Sequence, residues 1–275
     1  MFVSVVCAGH MPVRLSCGGV CAGPIPALEG APMTDASASR RPTLLVIQPD
    51  VKADLERLGE WIAEEGVDVT VVRPYDGDDI PGLSDVDGLV VLGGGMGAMD
   101  VDDFPWLEGI KERLREAVAT ELPTLGICLG AQLLADATGG HVRRGDAGLE
   151  SGVVAVDWQQ EAENDPLVAG LPRPLLAGAM HFDGIVSLPE DAVLLGTGEK
   201  YRHQVFRLSS AWGVQFHPEI SPARFESWRS LIPEEHRSAY DVQAEEFKSS
   251  DAAVKEGSKA LAERFANIVR ARAQG

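Results

Sequence analysis

The segment Gly126-Ile127-Cys128-Leu129-Gly130-Ala131-Gln132 sets a cysteine between glycines, where the apolar run Pro123 to Ile127 gives way to helix-forming residues 131–135. A thiol at such a strand-to-helix turn projects from the chain. The glycines remove Cβ atoms that would clash in the turn or obstruct a substrate. The helix N-terminus behind the thiol favours the thiolate, the form that attacks carbonyl carbon. Spacing alone leaves an inert, buried structural cysteine equally open. Partner residues decide between the two. Far downstream, Trp212-Gly213-Val214-Gln215-Phe216-His217-Pro218-Glu219 reads as a strand ending in a histidine and a glutamate. A cysteine nucleophile needs a base, and the base needs an orienting group. Two apart on a strand, His217 and Glu219 point the same way, so Glu219 can hold one ring nitrogen while the other faces Cys128.

The elements that must position these residues follow from periodicity. Residues 44–48 are a continuous apolar strand of the kind buried on both faces, and 67–72, 88–92 and 123–127 read as further strands. Helical spacing is expected over Val51 to Glu65, with Leu55, Leu58, Trp61 and Ile62 on one side, over Pro105 to Thr120, and from the Cys128 turn to Thr138. This alternation implies a doubly wound, mostly parallel α/β sheet with helices on both faces. Ligands on such sheets sit at the carboxyl ends of strands, where both Cys128 and Gly93-Gly94-Gly95 fall. From residue 141 the strands shorten, at 152–157, 192–197, 203–207 and 211–216, and read as a hairpin-rich insertion. Ala223 to Ile232 is expected to be helical, 233–250 a charged loop or broken helix, and Ala252 to Ala273 a final helix.

Taken together, Gly126 to Gln132 and Phe216-His217-Pro218-Glu219 resemble the class I glutamine amidotransferases, whose triad is Cys-His-Glu. The stretch Leu92 to Gly140, with Asp100 and Pro105-Trp106-Leu107, is most similar to the free-standing GMP-synthase-like subgroup. The resemblance covers roughly residues 43–225 and implies a flavodoxin-like glutaminase fold. It implies that Cys128 attacks the γ-carboxamide of glutamine, that His217 and Glu219 complete the triad, and that the amides of Gly95 and Leu129 form the oxyanion hole. Gln132 matches the position contacting bound glutamine, and His181-Phe182-Asp183 resembles a His-x-Asp loop near its α-amino group. One departure is Met96, where the family has proline after its glycine pair; the Gly95 amide is thereby expected to be freer to turn away at rest. No Ser-Gly-Gly-x-Asp-Ser type phosphate loop occurs, so no ATP chemistry is expected on this chain. The ammonia would pass to a separate synthetase, or the chain would be a stand-alone hydrolase of other γ-glutamyl amides. A catalytically silent regulatory module is the remaining alternative.

Composition narrows the classes further. The 275 residues carry a formal net charge of −18, which argues against a phosphate-binding basic surface and hence against a nucleic-acid partner. With 45% hydrophobic residues the chain can build a core, yet no run approaches a membrane span of roughly 20 residues. Cys7, Cys17 and Cys21 lie in the N-terminal stretch, leaving Cys128 without an obvious disulfide partner, which fits a reducing cytoplasm. The Cys17/Cys21 spacing lacks a second ligand pair, so no metal or other cofactor is expected. Residues 1–41, rich in Gly, Ala, Pro and Ser, are expected to be a disordered extension. Met33 is read as an alternative start that would leave residues 1–32 out of the native protein. Residues 42–275 are expected to form the amidotransferase domain.

Overall fold

The apolar runs become the parallel half of a sheet. β1 (Thr43–Ile47) leads to α1 (Glu56–Glu64), β2 (Asp68–Val72), β3 (Gly88–Val91), α2 (Trp106–Ala119), β4 (Thr124–Ile127) and α3 (Leu129–Ala137). The computed structural model describes residues 40–275. The expected N-terminal disorder, the Met33 start and the three N-terminal cysteines lie outside the described residues, Arg40 and Arg41 excepted. The chain continues through β5 (His141–Arg144), β6 (Glu150–Trp158), β7 (Leu175–His181), β8 (Asp183–Ser187), β9 (Val193–Thr197), β10 (Val205–Leu208) and β11 (Ala211–Val214), then α4 (Pro222–Ser227) and α5 (Glu234–Arg272).

The main sheet has the order β2-β1-β3-β4-β11-β10-β9-β6-β7. Strands β2, β1, β3, β4 and β11 run parallel; β10, β9, β6 and β7 continue it in antiparallel pairs. The segment expected as a hairpin-rich insertion thus extends the same sheet, and β5 pairs with β8 apart from it. Alternate residues of β1 explain the unbroken apolar run: Leu44 and Val46 pack with Leu58, Trp61, Leu261 and Phe265 on one face, and Leu45 and Ile47 with Leu107, Ile110 and Leu133 on the other.

Three expectations are corrected. The helix expected from Val51 begins only at Glu56. Asp50 holds the preceding residues in a turn, its Oδ1 accepting from Lys52 N at 3.0 Å and its carbonyl from Ala53 N at 3.2 Å. Nor is 233–250 a charged loop or broken helix: from Glu234 it is the first part of the unbroken 39-residue α5. Its charges line an exposed face while Tyr240, Ala244 and Phe247, at helical spacing, are buried. Tyr240 stacks on Phe225 at 4.3 Å between ring centroids and Phe247 meets the same ring edge-on at 5.3 Å. Burial of each large ring contributes about 1.5–3 kcal/mol, enough to carry the helix through a charged stretch. The expected Ala223–Ile232 helix divides into α4 and a short 3-10 turn.

Candidate active site

Cys128 stands between β4 and α3 with φ 50° and ψ −104°, a left-handed conformation that costs a non-glycine residue about 1–3 kcal/mol and persists only where its surroundings enforce it. Its amide donates to Val214 O at 2.8 Å and its carbonyl accepts from Gln132 N at 3.0 Å, tying the turn to β11 and to α3. The close approach of α3 to β3 requires Gly130, where a Cβ would lie 2.1 Å from the Val91 carbonyl oxygen. Gly93, just past β3, is needed for a different reason. A Cβ there would lie 2.9 Å from His217 Cε1 and 3.7 Å from Cys128 Cβ, so the two side chains meet over a bare glycine.

His217 lies past the end of β11, not on it. Its position is set by β7, where Gly178 O accepts from His217 N at 2.7 Å. The strand-pleat reason expected for its alignment with Glu219 does not apply, yet the two groups do meet: His217 Nδ1 donates to Glu219 Oε1 at 2.6 Å. Since the carboxylate accepts, Nδ1 carries a proton and Nε2 is left for Cys128, whose side chain meets the ring over Gly93. All three side chains are buried. Burial disfavours the imidazolium, but the Glu219 carboxylate and Cys128 outweigh it and push His217 from 6.5 up to about 10. The site thereby holds a protonated His217 beside Cys128. Trp228 packs edge-on against the imidazole at 4.9 Å, anchored by its indole N–H to Lys52 O at 3.0 Å.

A cavity of about 800 Å³ opens over this pair, lined by Cys128, His217, Gly95, Gln132, His181 and Asp183 among others. Glu219 stands behind His217, and Leu129 begins α3, where its N–H lacks an intrahelical partner. The Gly95 amide is not free: it donates to Asp50 Oδ2 at 2.8 Å. Gln132 Nε2 donates to Asp183 O at 3.0 Å and to Gln215 Oε1 at 3.3 Å, which commits its amide protons and leaves its oxygen as an acceptor. His181 has both ring nitrogens engaged, Nδ1 with Asp183 O and Nε2 with Glu150 Oε2, each at 2.8 Å. It therefore braces the wall around Asp183 instead of offering its ring to a ligand.

Sequence reasoning missed Asp50, Glu150, Gln215, Trp228 and Arg144. Asp50 reaches the site from the turn after β1 and Trp228 from the 3-10 turn after α4, positions that no motif encodes. Gln215 immediately precedes Phe216-His217-Pro218-Glu219 and could have been suspected as a polar residue in an otherwise apolar strand. Arg144 lines the cavity with its guanidinium 4.5 Å from the centroid of the Phe182 ring.

Comparison with known proteins agrees with this geometry. Residues 55–228 match the family model for glutamine amidotransferase class-I. The chain is 33% identical over 154 residues to a glutamine-hydrolyzing GMP synthase subunit of Archaeoglobus fulgidus, covering 54% of this chain and 76% of the relative. A protein of the same name from Natronomonas pharaonis is 32% identical over 173 residues, covering 60% and 85%. A crystal structure of a glutamine amidotransferase from Thermotoga maritima superposes with a TM-score of 0.73 at 27% identity, covering 82% of this chain and 99% of that one. The fold is that of the flavodoxin-like class I domain, and the chain belongs to the class I glutamine amidotransferases, enzymes that hydrolyse the amide C–N bond of glutamine.

Proposed function

We propose that this chain is a glutaminase in which the Cys128 thiolate attacks the γ-carboxamide carbon of glutamine. The observation that carries this reading is the buried Cys128–His217–Glu219 assembly at the floor of a cavity. Attack forms a C–S bond and a tetrahedral oxyanion. The His217 imidazolium protonates the departing nitrogen, ammonia leaves as the C–N bond breaks, and a γ-glutamyl thioester remains. Neutral His217 then takes a proton from water, whose oxygen attacks the thioester and releases glutamate and the Cys128 thiolate. Glu219 fixes the tautomer throughout and stabilises the imidazolium. The oxyanion is assigned to the amides of Gly95 and Leu129, each donor being worth about 3–4 kcal/mol in the transition state. For the amino-acid end of the substrate, the Gln132 oxygen and Asp183 suit an α-ammonium, and Arg144 suits an α-carboxylate.

The relatives named as glutamine-hydrolyzing subunits of a GMP synthase support delivery of ammonia to a separate synthetase. A cavity of about 800 Å³ also has room for γ-glutamyl amides larger than glutamine, which supports hydrolysis of such amides as the second reading. The test is incubation of the purified chain with glutamine and a panel of γ-glutamyl amides, following ammonia, amine and glutamate. Glutamine turnover abolished by Cys128→Ala is the expected result. Turnover surviving that change would remove Cys128 from the mechanism, and preference for a substituted amide would select the second reading.

A further inference from the structure

Five polar side chains form a buried chain of hydrogen bonds leading to the nucleophile. Glu150, Gln132, His181, Gln204 and Gln215 are each at most 5% exposed. Gln204 Nε2 and His181 Nε2 both meet Glu150 Oε2, at 2.7 and 2.8 Å. His181 Nδ1 and Gln132 Nε2 both meet the backbone oxygen of Asp183, at 2.8 and 3.0 Å. Gln132 Nε2 meets Gln215 Oε1 at 3.3 Å, and Gln215 Nε2 lies 3.8 Å from Cys128 Sγ. Such a network is costly to bury and rigid once every member is satisfied.

Its direction is set at one point. A backbone carbonyl can only accept, so Asp183 O forces Gln132 to present its amide N–H groups. Gln132 in turn forces Gln215 to present its oxygen to α3. The other end of the Gln215 carboxamide, the N–H end, is then the one that faces sulfur. The orientations of both amides thus follow from an acceptor that cannot reverse, and not from the appearance of either carboxamide alone. A donor aimed at Sγ stabilises the thiolate more than the thiol, because hydrogen bonds to ionised acceptors are the stronger ones.

We propose that Gln215 is a further catalytic residue of this site, donating a hydrogen bond to the Cys128 thiolate, and that Gln132 and the Asp183 carbonyl lock it in that orientation. The proposal rests on Cys128 being the nucleophile. It adds a second donor to the sulfur beside His217, present whenever the thiolate is free, before attack and again after the thioester is cleaved. In the attack step the bond to Gln215 is released as Sγ loses its charge to the oxyanion, and it re-forms when the thioester is cleaved.

The test is the pH profile of Cys128 alkylation by iodoacetamide, followed by peptide mapping, which reads the thiolate without requiring turnover. The charged and titratable groups around the sulfur are His217 with Glu219 behind it, and Asp50, Lys52, Asp100, Arg144, His181 and Asp183 on the cavity wall; all are retained in the variants. Gln215→Leu is expected to move the midpoint up by about one pH unit, a tenfold slower reaction below the midpoint, with an unchanged alkaline plateau. Gln215→Glu keeps the shape but puts a carboxylate against sulfur and is expected to move the midpoint further. Gln132→Leu frees the Gln215 carboxamide to turn and is expected to give an intermediate shift. A Gln215→Leu profile superimposing on that of the unaltered chain would overturn the proposal; should that variant fail to fold, an unshifted Gln215→Glu profile would do the same. Absence of glutaminase activity in a chain with this alkylation pattern would count against the proposed substrate and leave the role of Gln215 standing.

Discussion

Asp50 occupies the place that the proposed mechanism assigns to the oxyanion, and replacing it should make turnover faster. Its Oδ2 accepts from Gly95 N at 2.8 Å while Oδ1 accepts from Lys52 N at 3.0 Å. A substrate oxyanion seated on the Gly95 amide would lie within roughly 4 Å of this carboxylate, where two negative charges repel by about 4 kcal/mol at an effective dielectric constant near 20. That exceeds the roughly 1.5–3 kcal/mol net value of a hydrogen bond to a charged group, so the carboxylate must leave before the tetrahedral intermediate can form. The pocket is open to water on this side, which favours the lower end of that range for the cost of release. About 1.4 kcal/mol removed from the barrier is tenfold in rate. Asp50→Ala is therefore expected to raise kcat for glutamine by about tenfold, with melting temperature nearly unchanged because water can replace the carboxylate at both exposed amides. The assay is steady-state ammonia release with separate kcat and KM. A fall in kcat in a folded Asp50→Ala protein would refute the reasoning, since it would mean that the carboxylate holds the Gly95 amide in its working orientation. An unchanged kcat would equally show that release of Asp50 costs nothing in the rate-limiting step.

Three further outcomes follow from the same geometry. Glu219→Gln keeps the shape of the side chain but removes the charge and the acceptor-only partner of His217 Nδ1, and should lower kcat by about 10²–10⁴ without a comparable rise in KM. Because the folded-state value of His217 is raised to about 10 from 6.5, its contribution to stability should be fully present below about pH 6.5 and lost as pH rises through 10; melting curves across that interval should fall less steeply in His217→Gln than in the unaltered chain. Gly130→Ala places a methyl group 2.1 Å from Val91 O and should cost more than about 2 kcal/mol in denaturant unfolding or prevent folding altogether.

Much of the fold was legible because the parallel strands β1, β3, β4 and β11 are buried on both faces and read as uninterrupted apolar runs, the edge strand β2 excepted. The Cys128 turn was legible for a related reason: glycines at 126 and 130 mark backbone approaches that admit no side chain. What failed was reading charge as a loop or a break in a helix. Residues 234–250 carry many charges, and only the packing of Tyr240 and Phe247 on Phe225 makes them helical. Residues 51–55 failed in the opposite sense, since good helix formers yielded to the turn that Asp50 ties locally.

The sequence by itself determined which chemistry was available. A cysteine in a glycine-flanked turn, a histidine and a glutamate two residues apart, and a glutamine one turn into the following helix are local facts, readable because their spacing is covalent. The tertiary structure decided everything that depends on groups distant in the chain. It put His217 against Cys128 over a glycine, left the Gly95 amide in the grip of Asp50, and turned His181 from a ligand into a brace. It also set the direction of the Gln132–Gln215 amides through one carbonyl. Hydrogen-bond direction and charge proximity are properties of space, and no spacing along the chain encodes them.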